Sequence, residues 1–488
     1  MYCIAQFLVK AIFKGLTKIC RPILPKLKRW TNTTFLVPYR LMTKTRPKNI
    51  TVGLISLGCP KNLVDSEKML GQIAQAGLLI CGDPDQADVV VINTCGFIEV
   101  AKAESLETIE QVLDRKRKGA VRKVIVVGCL PERLGRDLLA QISGVDAMVG
   151  LGWRDEIANV IKETLAAEGP VLHLDKRRSG VADDRARLLT GFAHSPYLRI
   201  SEGCGHRCSF CTIPAIRGPL SSKPLEIVLA EAAELVDSGA IELNIISQDT
   251  TSYGRDLKIS DGLATLIAEL EKISELAWVR LMYLWPAGID KRLIERMAAS
   301  KKVVHYLDIP IQHINDRILR SMKRPDTKES LHGLIDLLRS AMSDIILRTT
   351  LIVGFPGETD CEFEELLEFV RTVKFDALGC FAYSREAGTA AAELPEQISE
   401  SVKQDRLKEL MLAQQEIAFA KNALRLGTTL DCLVDCANTD GSMMGRFYGQ
   451  ARDIDSVCLM RNCSAEPGQF VKTRVVGSEQ YDMIVEQI

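Results

Sequence analysis

Residues 201–211 read Ser201-Glu202-Gly203-Cys204-Gly205-His206-Arg207-Cys208-Ser209-Phe210-Cys211, with three cysteines in the spacing C-x3-C-x2-C. Four ligands close a structural zinc site, so three thiolates are one too few. Three thiolates suit a 4Fe–4S cluster with one iron left open, because thiolates hold such clusters and the open iron can take another ligand. The chain has 15 cysteines in 488 residues. Chance gives this spacing in roughly one to two per cent of such chains, so the pattern indicates a cluster loop.

Phe210, directly before the third cysteine, completes a pattern that resembles the signature of the radical S-adenosyl-L-methionine (SAM) superfamily. The resemblance implies that Cys204, Cys208 and Cys211 hold a 4Fe–4S cluster and that Phe210 contacts the cofactor. SAM would bind the open iron through its amino and carboxylate groups, and its reductive cleavage would give a 5′-deoxyadenosyl radical. The protein would then supply orientation and shielding for chemistry that belongs to the cofactors.

Length and charge set limits on the rest of the chain. A chain of 488 residues is long enough for two to four domains, and 47% hydrophobic residues are ample for their cores. The net charge of −1 is uneven, because residues 1–50 hold eleven Lys and Arg and no acid, which leaves 51 basic and 63 acidic residues elsewhere. Because acidic residues outnumber basic ones after residue 50, that part of the chain is not expected to form a phosphate-binding surface.

Cysteine usage and hydropathy indicate the compartment. The chain is large and has no secretory signature, so its cysteines do not predict a disulfide scaffold. No apolar run approaches the length of a membrane span. We therefore expect a cytoplasmic protein in a reducing environment.

Residues 1–48 form a basic extension. Lys10, Lys14 and Lys18 are spaced to share one helix face. An acid-free amphipathic start is typical of a transit peptide or a membrane-surface helix. The simpler interpretation is a disordered extension, with Met42 as a possible start just before the first strand, and this is what we predict. The extension carries no chemistry that its sequence identifies.

Residues 49–165 predict a first domain with a parallel sheet. Apolar runs at 52–57, 89–92 and 124–127 are each followed by a cysteine and then by a helical pattern, at 62–75, 101–118 and 132–141. In such sheets the carboxyl ends of neighbouring strands meet in one crevice. Cys59, Cys95 and Cys129 should therefore lie together and form a second cluster site. Cys81 follows no predicted strand and is interpreted as structural.

Three dispersed cysteines ahead of a radical SAM motif resemble the methylthiotransferase family. The sequences of residues 57–67 (LGCPKNLVDSE) and 93–98 (NTCGFI) are similar to the motifs of the RimO branch. That branch modifies an aspartate of ribosomal small-subunit protein S-twelve. The transfer-RNA branch (MiaB-like) tends towards GCQMN at the first of these sites. The resemblance implies that Cys59, Cys95 and Cys129 hold the auxiliary 4Fe–4S cluster.

Residues 166–190 are predicted to be a linker, and residues 191–395 the radical SAM domain. Six strand patterns in the second segment alternate with helical patterns; the strands are expected at 197–201, 243–247, 279–284, 303–309, 347–353 and 377–383. Six β/α units predict a partial (β/α)6 barrel with its site at the carboxyl ends of the strands. The cluster loop follows the first strand, at that end.

Residues at the strand ends are candidates for SAM and substrate contacts. Residues 247–254 (SQDTTSYG) resemble the RimO branch, and residues 308–313 (DIPIQH) and 351–358 (LIVGFPGE) resemble methylthiotransferases in general. The resemblance implies cofactor contacts at Gln248, Gln312, Gly354 and Gly357, although turns of this kind also occur without a ligand. His206 lies between two cluster cysteines and is interpreted as shaping the loop.

The carboxyl-terminal part is predicted as a helical connector, residues 396–423, and a small β-barrel of five short strands, residues 424–488. Its position and size resemble the TRAM module that ends methylthiotransferases and often contacts RNA. Residues 424–488 hold six Lys and Arg against nine Asp and Glu. RNA contact needs a positive face, so a basic ribosomal protein is the favoured partner. The cysteines of this barrel, Cys432, Cys436, Cys458 and Cys463, are interpreted as core residues in preference to a zinc set.

The patterns predict an α/β multidomain protein, and the resemblance implies an enzyme that adds a methylthio group to the β-carbon of an aspartate in ribosomal protein S-twelve. By the resemblance it uses two 4Fe–4S clusters, SAM and an electron donor such as flavodoxin or ferredoxin. One alternative is a transfer-RNA adenosine methylthiotransferase, and a more remote one is a non-enzymatic iron–sulfur carrier. The immediate sulfur source and the order of methylation and sulfur transfer are not readable from the sequence.

Overall fold

A computed structural model gives the fold of residues 50–175, 183–439 and 441–488. The predicted basic extension at residues 1–48, with its candidate start at Met42, lies outside the described residues. So does the basic run at 176–180 in the predicted linker.

The first sheet has six parallel strands in the order β2-β1-β3-β4-β5-β6. The strands are β1 Thr51–Ser56, β2 Leu79–Ile80, β3 Val89–Thr94, β4 Lys123–Gly128, β5 Ala147–Val149 and β6 Val171–His173. The central strand β3 is buried at every position, because helices cover both faces of the sheet. The helices are α1 Pro60–Gln75, α2 Glu99–Arg117, α3 Cys129–Leu134, α4 Asp137–Gln141 and α5 Ile157–Ala166.

Three expectations for this domain were wrong. The single helix at 132–141 is two helices, because Gly135 takes a φ of 55° that ends α3. Strand β6 pairs with β5 inside the segment predicted as linker, so the sheet extends beyond residue 165. Cys81 does follow a strand, the two-residue β2 at the sheet edge, and its Sγ lies 3.1 Å from the Asp83 carbonyl oxygen.

The second sheet is the predicted partial barrel of six parallel strands, in the order β14-β13-β12-β11-β10-β7. The strands are β7 Tyr197–Arg199, β10 Glu242–Ile246, β11 Trp278–Leu281, β12 Val303–Gln312, β13 Ile346–Val353 and β14 Ala377–Ala382. Its outer helices are α7 Leu225–Asp237, α8 Gly262–Leu270, α9 Lys291–Ala299, α10 Asp316–Ser321, α11 Lys328–Ala341 and α12 Asp360–Val373. The predicted α/β architecture is confirmed for both sheets.

The cluster loop lies between elements that the sequence did not predict. A short antiparallel pair, β8 Ser201–Glu202 and β9 Ser221–Ser222, closes the base of the loop, and helix α6 Ile213–Arg217 follows Cys211. Five short 3-10 helices connect other elements, at Pro84–Gln86, Leu151–Glu156, Thr250–Ser252, Pro286–Gly288 and Ala390–Glu393.

Helix α13 Glu400–Leu424 leads to a closed barrel of five strands in the order β15-β16-β17-β19-β18. The strands are β15 Thr429–Ala437, β16 Met443–Phe447, β17 Cys458–Arg461, β18 Phe470–Glu479 and β19 Asp482–Gln487. Cys432 and Cys458 are buried in its core with their sulfur atoms 3.9 Å apart. Within the described ranges, no helix combines the length and the apolar character needed to cross a membrane.

Candidate metal centre

One cavity lies where the carboxyl edge of the first sheet faces the carboxyl end of the barrel. It holds about 1050 Å³ of empty space, part of it open to solvent. All six predicted cluster cysteines line it, three from each domain: Cys59, Cys95, Cys129, Cys204, Cys208 and Cys211. Two thiol triplets that are far apart in sequence therefore share one chamber.

The auxiliary triplet is positioned by adjacent parallel strands. Cys59, Cys95 and Cys129 follow β1, β3 and β4, which are neighbours in the sheet. Asn62 ties the ends of β1 and β3 together, because its Nδ2 donates to the carbonyl oxygens of Leu57 and Thr94, both at 3.0 Å. Asn62 also accepts, through its backbone oxygen, a hydrogen bond of 2.8 Å from Asn93 Nδ2.

The radical SAM triplet is positioned by a tight loop. Gly203 has a φ of 73°, and a Cβ there would lie 2.1 Å from the Pro219 carbonyl oxygen, so the loop needs glycine at this point. Ser209 N donates to the Met322 carbonyl oxygen at 3.0 Å, which ties the loop to the end of α10. Ile213 N donates to Cys211 Sγ at 3.4 Å.

Burial raises the pKa of four thiols in this cavity, those of Cys129, Cys204, Cys208 and Cys211. The pKa of Cys129 is raised to about 12 by burial, although the Arg217 guanidinium beside it opposes the shift. Burial raises the pKa of Cys204 to about 12 and that of Cys208 to about 11. Thiols of this kind stay protonated at neutral pH until iron binds, and binding then releases their protons.

The donor set of each triplet is three thiols, which is the ligand chemistry of an iron–sulfur cluster. Among the described residues, no three His, Cys, Asp or Glu side chains lie close enough together to hold one metal ion. Ligands of one zinc ion lie about 2.0–2.3 Å from its centre, whereas the thiolates of a 4Fe–4S cluster bind different irons of a larger core. Each triplet therefore has the ligand chemistry that such a cluster needs.

Three of the predicted SAM contacts line the cavity, and two do not. Phe210, Gln248 and Gln312 are in its wall. The side-chain oxygens of Gln248 and Gln312 are buried and accept no hydrogen bond from the described part of the chain. They are therefore placed to accept one from an amino or hydroxyl group of a ligand.

Gly354 and Gly357 follow β13 but are not in the cavity wall. Both have positive φ, of 69° and 75°, and a Cβ on Gly354 would lie 2.3 Å from Lys403 Cγ on α13. Packing and turn geometry explain these glycines, and the cavity gives no support to a cofactor contact.

His206 is held by two other residues of the cavity wall. Its Nε2 lies 2.7 Å from Asp249 Oδ2, and its ring stacks on Trp285 with centroids 3.6 Å apart. On the cavity wall, the Arg324 guanidinium lies 3.9 Å from the centroid of the Trp285 ring. These contacts support the prediction that His206 shapes the loop.

A buried ion-pair network, which no sequence pattern predicts, joins the two domains beside this cavity. Arg199 Nη1 lies 2.6 Å from Asp65 Oδ1 and 2.8 Å from Glu202 Oε2, and all three residues are buried. Arg154 Nη1 reaches the same Asp65 oxygen at 2.9 Å. Burial alone would raise the pKa of Glu202, but the guanidinium groups of Arg217, Arg199 and Arg154 outweigh it and hold that pKa well below its usual range. Residues 65–67 belong to the motif at 57–67 (LGCPKNLVDSE), and that motif is the one feature of the sequence that could have indicated this network.

A second missed group is Lys61, which is buried in the cavity wall two residues after Cys59. Its Nζ lies 2.9 Å from the centroid of the Tyr283 ring. The sequence shows Lys61 in the motif CPKN but gives no sign that it meets a ring from the other domain.

Fold and cavity together define a radical SAM protein with an additional cysteine triplet. Residues 198–370 match the radical SAM superfamily, residues 426–488 match the TRAM domain, and residues 51–150 match a family described as uncharacterized protein family UPF0004. The fold resembles the radical SAM methyltransferase TsrM from Kitasatospora setae, with a TM-score of 0.51, 15% identity, and coverage of 71% of this chain and 77% of that one.

Curated relatives identify the family within the radical SAM superfamily to which the chain belongs. The ribosomal protein uS12 methylthiotransferase RimO of Geobacter sulfurreducens is 45% identical over 439 residues, covering 90% of this chain and 98% of the relative. The protein of the same name from Acetivibrio thermocellus is 44% identical over 448 residues, with coverage of 90% and 98%. The chain belongs to this RimO family of radical SAM methylthiotransferases. Its cofactors are accordingly SAM and 4Fe–4S clusters.

Proposed function

We propose that this protein adds a methylthio group to the β-carbon of an aspartate in ribosomal protein uS12, the small-subunit protein S-twelve. The observation that carries the proposal is the single cavity lined by both cysteine triplets. Insertion of sulfur at an unactivated C–H bond needs a radical source and a sulfur source within reach of the same carbon. Membership of the RimO family supports uS12 as the substrate.

Each triplet would hold one cluster. Cys204, Cys208 and Cys211 leave an iron open for SAM, and Cys59, Cys95 and Cys129 hold the auxiliary cluster. When bound, the first cluster with SAM supplies a carbon-centred radical, and the second supplies the sulfur. The chain itself orients these groups: Asn62 fixes the auxiliary strand ends, and the oxygens of Gln248 and Gln312 are available to SAM.

Lys61 would receive the carboxylate of the substrate aspartate. Its ammonium group lies in the wall of the cavity that both triplets line, against the face of the Tyr283 ring. A cationic wall favours an anionic side chain, because an ion pair in a partly dry cavity is stronger than one in water. A neutral adenine base offers no such partner.

The outer surface supports a protein substrate. The carboxyl-terminal barrel carries more acidic than basic residues, which suits a basic ribosomal protein better than RNA. Reduction of the cluster needs an external electron donor, for which flavodoxin or ferredoxin is our candidate. Because the substrate is a ribosomal protein, we place the reaction in the cytoplasm.

Product analysis tests the proposal directly. The reconstituted protein, with reductant, SAM and a sulfide source, is offered uS12 and transfer RNA in separate reactions, and both are analysed by mass spectrometry. We expect the methylthio group on one aspartate of uS12 and no change in the RNA. Modification of an adenosine with uS12 left unmodified would defeat the proposal. Absence of 5′-deoxyadenosine under these conditions would indicate a cluster carrier.

Cluster content is a separate test. After anaerobic reconstitution we expect about two 4Fe–4S clusters per chain, and about one in the triple variant Cys59→Ala, Cys95→Ala, Cys129→Ala. Iron and acid-labile sulfide assays measure both. An unchanged iron content in the variant would show that these three cysteines hold no cluster.

A further inference from the structure

Arg217 connects the two cysteine triplets. It is the last residue of helix α6, which begins two residues after Cys211. From there its side chain crosses to the first domain, where Nη2 lies 3.3 Å from Cys129 Sγ and donates to it. A guanidinium from the radical SAM domain therefore contacts a sulfur atom of the auxiliary triplet.

The guanidinium is held rigidly. Its Nη1 lies 2.9 Å from Glu202 Oε1 and 3.0 Å from Asp65 Oδ2, and Nη2 also donates to Asn62 Oδ1. The Arg217 side chain is only 2% exposed. Asn62 and Asp65 lie on α1, which begins directly after Cys59. The same contacts that fix Arg217 thus fix it relative to a second cysteine of the triplet.

A donor aimed at a ligand sulfur changes the electronic state of a cluster. Hydrogen bonds to cysteine sulfur and nearby positive charge both stabilise the reduced cluster, which carries one more negative charge, and so raise its reduction potential. Burial strengthens the effect, since little water remains to screen the charge.

We propose that Arg217 raises the reduction potential of the auxiliary cluster by its hydrogen bond to the Cys129 sulfur. The proposal rests on the proposed function only in that Cys129 must hold that cluster. It assigns Arg217 a role distinct from the other buried arginines of the network, which meet carboxylates.

Arg154 is a matched control for a purely structural role. It is buried, and its Nη1 pairs with Asp65 and Glu202, the two carboxylates that Arg217 also pairs with. The sulfur contact at 3.3 Å belongs to Arg217. If the network merely supports the fold, replacing either arginine should have the same effect on the cluster.

The test uses the full-length chain with Cys204, Cys208 and Cys211 changed to Ala, so that only the auxiliary cluster is reconstituted. Arg217→Lys, Arg217→Met and Arg154→Lys are compared in this background by redox titration with dithionite, followed by electron paramagnetic resonance. We expect both Arg217 variants to shift the one-electron equilibrium at least tenfold towards the oxidised cluster. Their midpoint potentials should therefore be more negative than that of the parent by about 59 mV or more. Arg154→Lys should leave the midpoint unchanged.

Arg217→Lys keeps a positive charge for the two carboxylates, so it is expected to fold even if Arg217→Met does not. Equal midpoints in Arg217→Lys and its parent would overturn the proposal, as would an equal shift in Arg154→Lys. Iron content is measured on every sample. Loss of the cluster from the parent itself would instead count against the proposed cluster site, so the two failures are distinguishable.

Discussion

Lys61 and Tyr283 show how single residues prepare the cavity. A buried ammonium group is costly unless it is paired, and the electron-rich face of Tyr283 lies 2.9 Å from Lys61 Nζ. Tyr283 has a φ of 62°, in the left-handed region that bulky residues rarely adopt. Its N–H donates to Asp308 Oδ2 at 3.1 Å, and its carbonyl oxygen accepts from Thr250 N at 3.0 Å. Strain of about 1–3 kcal/mol is thus retained where it holds a ring against the cation.

Replacement of Lys61 should weaken substrate binding and spare the radical machinery. A charge-assisted hydrogen bond to a carboxylate contributes about 1.5–3 kcal/mol. Lys61→Met should therefore raise the KM for uS12 roughly tenfold or more. Steady-state kinetics of uS12 modification measure this, and 5′-deoxyadenosine formed without uS12 should stay at the wild-type level.

Lys61→Arg is the matched control, since it keeps a cation at the same position. It should recover part of the lost affinity. An unchanged KM in Lys61→Met, or an equal rise in both variants, would show that the charge at this position does not bind the substrate.

At the scale of elements, the glycine that ends β4 sets the position of a cluster ligand. Gly128 has a φ of 103°, and a Cβ there would lie 2.3 Å from Asn93 Oδ1 and 2.8 Å from the Thr94 carbonyl oxygen. Both neighbours belong to the adjacent strand β3, just before Cys95. The tight approach of the two strand ends therefore brings Cys95 and Cys129 into the same cavity wall.

Gly128→Ala should displace Cys129 and empty the auxiliary site selectively. Alanine in this backbone conformation, which essentially only glycine adopts, is strained by about 1–3 kcal/mol, and its Cβ would force the strand ends apart. Iron content after reconstitution should fall from about two clusters towards one, with the radical SAM cluster retained. Iron assay and 5′-deoxyadenosine formation together check both parts.

Gly333→Ala provides the control for a glycine replacement elsewhere. Gly333 lies in helix α11, and nothing lies within 4 Å of the position of its Cβ. This variant should keep both clusters and gain a little stability from the better helix former. Two full clusters in Gly128→Ala would contradict the role assigned to the strand end.

The sequence predicts the long elements because their patterns are strong. The six barrel strands and the three strands that are followed by a cluster cysteine were all predicted, since runs such as residues 89–92 are apolar throughout. The strands β2, β5 and β6 have two or three residues each, too few to show a period. The helix after Cys129 was predicted as one piece because an isolated glycine is tolerated within a helical pattern, so Gly135 alone did not indicate a turn.

The site was predictable only where spacing carries the information. Cysteines at strand ends and in a C-x3-C-x2-C loop can be recognised from the amino-acid sequence alone, and the structure places all six in one cavity. The contacts of Arg217 with Asn62, Asp65 and Cys129 bridge more than 85 residues along the chain, and no local pattern records them. Buried charges of this kind are recognised only once the fold has paired them.

At the scale of the whole molecule, buried charges also join the carboxyl-terminal barrel to the radical SAM domain. Arg446 lies on β16, and its side chain is 1% exposed. Its Nη2 lies 2.9 Å from Glu242 Oε2 on β10, and its Nε lies 2.6 Å from Asp435 Oδ2 on β15. Asp435 also meets His194 Nε2 at 3.0 Å. The amino-terminal end of the radical SAM sheet is thus covered by the barrel, opposite the cavity.

The charged state of Glu242 at this junction depends on the arginines that pair with it. Burial would raise its pKa, but Arg446 and Arg280 outweigh burial and hold the pKa at about 2, below the ordinary 4.5. A carboxyl group whose pKa is lowered on folding stabilises the fold above its ordinary pKa. That contribution is lost as the pH falls through 4.5 towards 2.

Arg446→Met should therefore loosen the carboxyl-terminal barrel from the rest of the molecule. It leaves Glu242 and Asp435 as incompletely compensated buried charges, at a cost of about 3–5 kcal/mol. Limited proteolysis at neutral pH should cleave near α13 much faster than in the wild type, and the difference should narrow only as the pH falls from 4.5 towards 2, where the wild type loses the stability that this ion pair contributes. Arg474→Met, which removes an exposed arginine from β18 of the same barrel, is the control and should behave like the wild type. Equal cleavage rates for Arg446→Met and Arg474→Met at neutral pH would show that the barrel is held by its apolar contacts instead.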